Sequence, residues 1–236
     1  LSAALKRTPK PPVPDVLRIG REMAEGLSAA HEKGLVHRDI KPANVWLEGA
    51  KRRVKILDFG LARAEAAAQS GDDPTITRQG VMVGTPAYMS PEQGRGQAVD
   101  ARTDLFSLGV VLYQMAAGEL PFQGPDTMAI LMALAVDTPP PVTTKNPFVP
   151  PALSDLIGRL LQKHPADRPA SGQAVADELR RIEDSLSQTV QVVTAAAPAG
   201  PDPWAAIDAT EAEGPAVVVP HGKAASGTRL PRVQHP

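Results

Sequence analysis

Four side chains between positions 39 and 58 could do chemistry together. Asp39 and Asp58 bring carboxylates, Lys41 an ammonium group and Asn44 an amide oxygen. Asp39, Lys41 and Asn44 stand close in sequence, so one short loop carries an acid, a cation and a neutral oxygen ligand. Two brief apolar runs follow, 45–47 and 54–57, around a polar turn at 48–53. Such a pattern reads as a β-hairpin. The hairpin fixes Asn44 at one end and Asp58 at the other, so two oxygen-bearing side chains can face one site from the ends of paired strands. Read alone, Asp39 and Asp58 are equally turn residues, and His37 and Phe59 equally core. Their joint order around a hairpin is what makes the stretch specific.

The elements that must position this loop are helices. Val16, Ile19, Met23, Leu27 and Ala30 recur at intervals of three and four, which predicts a helix over 15–33 with Asp15 as its cap and Gly34 as its stop. Leu1, Ala4 and Leu5 show the same spacing ahead of a proline-rich break. Residues 100–118 predict a second strong helix. Leu105, Leu108, Val111, Leu112 and Met115, with Val110, make its middle apolar almost all round, as suits a domain centre. Residues 127–136, 153–163 and 171–186 predict three more helices, with a proline-rich connection over 139–151. The fold class is therefore mainly α with a small β-hairpin. Trp46 reads as packing. Residues 61–91 have weak periodicity and read as a long loop. From 187 to 236 alanine, proline, glycine and valine dominate. Recurrent prolines exclude long helices and central strands there. The organisation expected is a domain over 1–186 and a disordered linker or tail over 187–236.

Composition excludes several classes. The formal net charge of −1 gives no basic field for nucleic acid. There is no cysteine, hence no disulfide framework and no thiolate metal site. The histidines show no metal-ligand spacing. No apolar run is long enough for a membrane helix, and no signal peptide is visible. A cytoplasmic location is the expectation. The chain opens at Leu1 within a helical pattern, which reads as a fragment or a processed product.

His37-Arg38-Asp39-Ile40-Lys41-Pro42-Ala43-Asn44, followed by Asp58-Phe59-Gly60, resembles the catalytic loop and magnesium loop of eukaryotic-type protein kinases. Gly84-Thr85-Pro86 and Ser90-Pro91-Glu92-Gln93 are similar to the end of a kinase activation segment. The Lys-Pro-Ala-Asn and Ser-Pro-Glu-Gln forms are those of bacterial serine/threonine kinases. The resemblance covers roughly residues 1–186 and implies a protein-kinase-like C-lobe, α+β in the complete kinase fold. It implies ATP as phosphoryl donor, Mg²⁺ (or Mn²⁺) as metal and Ser/Thr hydroxyls of proteins as acceptors. By the family pattern Asp39 orients the acceptor hydroxyl or takes its proton. Lys41 stabilises the γ-phosphate, and Asn44 and Asp58 hold two Mg²⁺ ions, Asp58 reaching the ATP phosphates through the metal. Arg38 binds a phosphate on the activation loop, with Thr75 and Thr77 as the nearest hydroxyls. His37, Phe59, Gly60 and Thr85 give structural support. So does Asp104, which holds the catalytic-loop backbone, and Glu92, which pairs with Arg168. Lys41 and Gly84-Thr85-Pro86 favour Ser/Thr over Tyr specificity. Dimerisation for trans-autophosphorylation belongs to the same expectation. Many family members also continue into a membrane helix after such a linker.

One departure matters. The sequence has no Gly-x-Gly-x-x-Gly run and no Val-Ala-x-Lys strand. The expectation is a kinase C-lobe whose N-lobe is absent from these residues, inactive by itself. A non-catalytic kinase-like docking module is the alternative. Against it, a structural descendant has no physical need for Asp39, Lys41, Asn44 and Asp58 together. A small-molecule kinase of the aminoglycoside phosphotransferase type is disfavoured by the 84–92 segment and Arg168.

Overall fold

The structure is a computed structural model and describes residues 1–58 and 86–193, with side chains to Gln188. Phe59, Gly60, Thr75, Thr77 and Thr85 lie outside the described residues, as does the tail beyond Val193.

A short helix, α1 (Ser2–Arg7), precedes the long helix α2 (Val13–His31). Val16, Ile19, Met23, Leu27 and Ala30 all lie on the buried side of α2. Its start differs from the sequence expectation. Pro12 occupies the N-cap, and Asp15 sits inside the first turn without capping. Pro14 explains this, because proline lacks the N–H that the first helical turn leaves unbonded anyway. Asp15 instead pairs with Arg18 at 3.5 Å. At the far end Gly34 has φ +73°, the Leu35 N–H donates to Ala30 O and the Gly34 N–H to His31 O. This is a Schellman closure, and it needs the left-handed conformation that glycine adopts without strain.

The hairpin consists of β1 (Val45–Glu48) and β2 (Arg53–Ile56), antiparallel, with Val45 opposite Ile56 and Glu48 opposite Arg53. Val45 and Leu47 turn inward and β2 packs on α2. Trp46, on the other face, is 43% exposed, so its expected packing role does not hold. A strand's alternation dictates this: if Val45 enters the core, its neighbour faces out.

Downstream come α3 (Pro91–Gly94), α4 (Ala101–Ala117), α5 (Thr127–Val136), α6 (Val142–Lys145), α7 (Pro151–Leu160) and α8 (Gly172–Val193). The proline-rich connection thus contains one helical turn, α6. The final helix runs to Val193, past the expected boundary at 186. Helix α4 is the axis of the domain. Asp100 caps it by accepting from the Arg102 N–H at 2.8 Å, and Gly118 ends it in the left-handed region at φ +78°. Leu105, Phe106, Leu108, Val110, Val111, Leu112 and Met115 have no exposed surface. Such burial all round the helix follows from neighbours on several sides: α2, α6 and α7. Helix α8 lies along α2, and α5 sits on α3 and the turn Pro86–Tyr88. No described helix is long and apolar enough to cross a membrane.

Helices α4 and α7 cross closely at Gly109. A Cβ added there would stand 2.7 Å from Leu160 Cβ. On a solvent-facing helix, Gly→Ala stabilises by about 1 kcal/mol. Here overpacking of about 1–3 kcal/mol opposes that gain. Gly109→Ala should therefore lower stability in urea unfolding, and an unchanged or higher midpoint would show that α7 yields to the added carbon.

Candidate active site

The loop between α2 and β1 brings Asp39, Lys41 and Asn44 together. Lys41 Nζ donates to Asp39 Oδ2 at 2.8 Å. Asn44 Nδ2 donates to the Asp39 carbonyl at 2.8 Å and to Oδ2 at 3.1 Å. The Asp39 side chain is about one-third exposed, so its carboxylate meets solvent while two donors fix it. Asn44 is buried, at the end of a 3₁₀ turn, Pro42–Asn44, that leads straight into β1. Its amide N–H groups are committed to Asp39, which leaves the amide oxygen as its free ligand atom. The Leu57 N–H donates to Asn44 O at 2.8 Å across the hairpin. Asp58 is the next residue, exposed, with φ +54°. An amide oxygen and a carboxylate thus stand at the open end of the hairpin. Hard divalent cations such as Mg²⁺ prefer oxygen ligands and are often held by one or two carboxylates plus substrate phosphates. The donor set fits that use. Among the described residues no cluster of three or more acidic or histidine ligands exists that would build a complete protein cage.

His37 is buried and ties the loop to the hairpin. Its Nε2 lies 2.8 Å from the Leu57 carbonyl, which only accepts, so Nε2 carries the proton. Its Nδ1 then accepts from the Asp39 N–H at 3.2 Å. One imidazole therefore spans the acid at position 39 and the strand that delivers Asp58.

Arg38 has φ +66°, a conformation that costs a non-glycine residue roughly 1–2 kcal/mol. Both of its backbone groups are held. The Arg38 N–H donates to Asp104 Oδ1 at 2.8 Å, and its carbonyl accepts from Gln93 Nε2 at 2.8 Å. Asp104 lies in the first turn of α4 with no exposed surface. Its Oδ2 also accepts from the His37 N–H at 2.8 Å. His31 Nε2 stands 2.7 Å from the same oxygen. The carboxylate already accepts from two amides, so His31 is the donor in that contact.

Glu92 and Arg168 form a buried bidentate pair, NH1 to Oε1 at 2.7 Å and NH2 to Oε2 at 2.8 Å. Thr103 Oγ1 donates to Oε1 at 2.8 Å. The remaining guanidinium N–H groups reach the carbonyls of Gln162, Arg102 and Lys163. The guanidinium also lies over the Phe106 ring, 4.9 Å from its centroid. Burial alone would raise the Glu92 carboxyl, but the hydrogen bonds and charge of Arg168 outweigh it and hold the group below its ordinary value.

His31, Gln93 and Thr103 contribute to this arrangement without having been picked out from the sequence. Gln93 carried a signal: Ser90-x-x-Gln93 is a capping box. Ser90 Oγ accepts from the Gln93 N–H, and Gln93 Oε1 accepts from the Ser90 N–H. His31 carried none, since its partner is remote in sequence.

Residues 4–179 match the profile of the family described as protein kinase domain. The chain belongs to the protein kinase domain family. Among curated proteins it is similar to the serine/threonine-protein kinase pkn3 of Myxococcus xanthus, 42% identical over 71% of this chain and 31% of the relative. It is 40% identical to the serine/threonine-protein kinase PksC of Streptomyces coelicolor over 93% of this chain and 37% of PksC. The serine/threonine-protein kinase PknL of Mycobacterium tuberculosis is 38% identical over 78% of this chain and 44% of PknL. The chain thus spans less than half the length of these kinase relatives.

The Glu92–Arg168 pair gives a two-part expectation for this kinase domain. Arg168→Ala strands a buried carboxylate and should cost about 3–5 kcal/mol in chemical unfolding. The Glu92 carboxyl is depressed in the fold, so as pH falls the unfolded chain takes up the proton first. Its stabilisation is complete above the ordinary carboxylate range, near 4.5, and is lost below it. Glu92→Gln should make stability less dependent on pH below that range. An acid limb as steep as the parent's, or an Arg168→Ala protein as stable as the parent, would refute the assignment.

Proposed function

We propose that this chain carries the catalytic lobe of a serine/threonine protein kinase, which transfers the γ-phosphoryl group of ATP to Ser or Thr hydroxyls of proteins. The observation that carries the reading is the convergence of Lys41 and Asn44 on Asp39 beside the hairpin end that presents Asp58. In this reading Asp39 orients the acceptor hydroxyl and takes its proton. Two fixed donors keep its carboxylate in one orientation, so little reorganisation is needed when the acceptor arrives. Lys41 is held on Asp39 and would offset the charge that develops on the phosphoryl group in transit. The Asn44 amide oxygen and the Asp58 carboxylate hold Mg²⁺. Bound there, the metal supplies charge neutralisation on the phosphates. Arg38 is assigned to a phosphate on the activation segment, with Thr75 and Thr77 as its candidate sources. The backbone clamp from Asp104 and Gln93 supports this assignment by committing the main chain of Arg38 and not its side chain.

The elements that cover ATP phosphates in the family are not found in these 236 residues. In this reading they come from further sequence of a longer protein, in keeping with the short span of the relatives that the chain matches. Phosphoryl transfer depends on holding the phosphates in line and excluding water. The 236-residue chain alone is therefore expected to bind Mg·ATP weakly and to transfer no label from γ-labelled ATP to a basic test protein. The complete gene product should transfer label, and Asp39→Asn or Asp58→Asn should abolish this. Robust transfer by the 236-residue chain would overturn the covering-lobe reading. A complete product inactive with folded parent sequence would favour the docking-module alternative.

A further inference from the structure

A cavity lies away from the loop just described. It opens where the end of α4, the segment 138–141 and α7 meet, with a volume of about 470 Å³. Cavities of roughly 300–1,000 Å³ take small organic molecules. Pro139, Pro140, Pro141, Val142, Ile157 and Leu161 make its wall mostly apolar. Tyr113 also lines it, nine residues beyond Asp104, or about 13 Å further along α4.

Two features set this cavity apart from a packing gap. Tyr113 is only 2% exposed, yet its hydroxyl makes no hydrogen bond with a described residue. The hydroxyl keeps some accessible surface at the cavity, so its O–H can donate to a molecule there. Burial, with the negative charge of Glu119 adding to it and Lys145 opposing, raises this hydroxyl above its ordinary value, so it stays a donor. The second feature is Gly158. It lies inside α7 and lines the cavity, and a Cβ built on it meets nothing within 4 Å. Glycine weakens a helix interior, and close packing does not require it here, in contrast to Gly109. Gly158 is exposed at the rim of the cavity, where a side chain has room to stand over its mouth.

The charges around it balance. Arg159 is paired with Glu178, and Asp155 and Lys163 are of opposite sign. Burial, with Arg168 and Arg95 nearby and only Asp137 opposing, brings the Lys163 ammonium down to about 8. Its Nζ is already engaged by the Leu134 carbonyl at 2.6 Å and by the face of Phe122 at 4.0 Å. Nothing in this wall calls for a charged ligand.

We infer that the cavity between α4, residues 138–141 and α7 is a binding site for an uncharged aromatic small molecule. The ring lies against the prolines, and one carbonyl-type acceptor takes the Tyr113 hydroxyl. The site is independent of nucleotide and of the phosphoryl-transfer reading.

Fluorine NMR of the 236-residue chain tests it with three probes: para-fluoroacetophenone, para-fluorotoluene, which lacks the acceptor, and para-fluorobenzoate, which is charged. The ketone should bind best. A Cβ at 158 has room, so Gly158→Leu should occupy the cavity's mouth and abolish binding while leaving the circular dichroism spectrum unchanged, and Gly158→Met serves as a second filling variant. Tyr113→Phe should weaken the ketone roughly three- to tenfold, the weight of one hydrogen bond, and leave the toluene unaffected. The inference fails if no probe binds the parent, if the benzoate binds best, or if ketone binding survives both filling variants.

Discussion

The Asp104 carboxylate is the constraint on which the catalytic loop depends. It is fully buried in the first turn of the central helix and accepts from the amides of His37 and Arg38 and from His31. A carboxylate removed from water is costly unless hydrogen bonds replace its solvation. The loop supplies those bonds only in one backbone conformation, with Arg38 in the left-handed region. The cost of leaving Asp104 unsatisfied exceeds the cost of that strain, so the strained loop is the stable one. Asp39 follows directly, and its orientation is inherited from a residue far along the chain.

A second buried carboxylate works in the same way. Glu92, at the start of α3, is satisfied by Arg168 and Thr103, so the segment entering α3 is fastened both to α4 and to the turn before α8. Gln93, the next residue, reaches the Arg38 carbonyl. The two anchors therefore meet at Arg38, from α4 on the amide side and from α3 on the carbonyl side. Apolar packing around α4 sets the positions of these helices. The polar bonds then select one loop geometry out of those the packing would tolerate.

The amphipathic run of α2, the all-round apolar middle of α4 and the alternation in β1 and β2 were legible because each is a local period set by backbone geometry. Errors came where two local signals competed. Asp15 is a good capping residue, but Pro12 and Pro14 start the helix earlier. Trp46 is large and apolar, but it shares a strand with Val45, and only one of the two can face inward. The end of α8 at Val193 was missed because the change in composition begins before the helix stops.

By itself the sequence determined the residue types at the site and their spacing: the Asp39–Lys41–Asn44 loop, the hairpin and the Asp58 beyond it. These are close in sequence, so spacing carries them. It also paired Glu92 with Arg168, though only through the likeness to a family. The tertiary structure alone decided that His31 and Gln93 join the loop, that every guanidinium N–H of Arg168 is used, and that Tyr113 and Gly158 line one cavity. Each of these joins groups on separate elements of the fold. Which helix faces meet is set by packing across the whole core, and no local period in the chain records it.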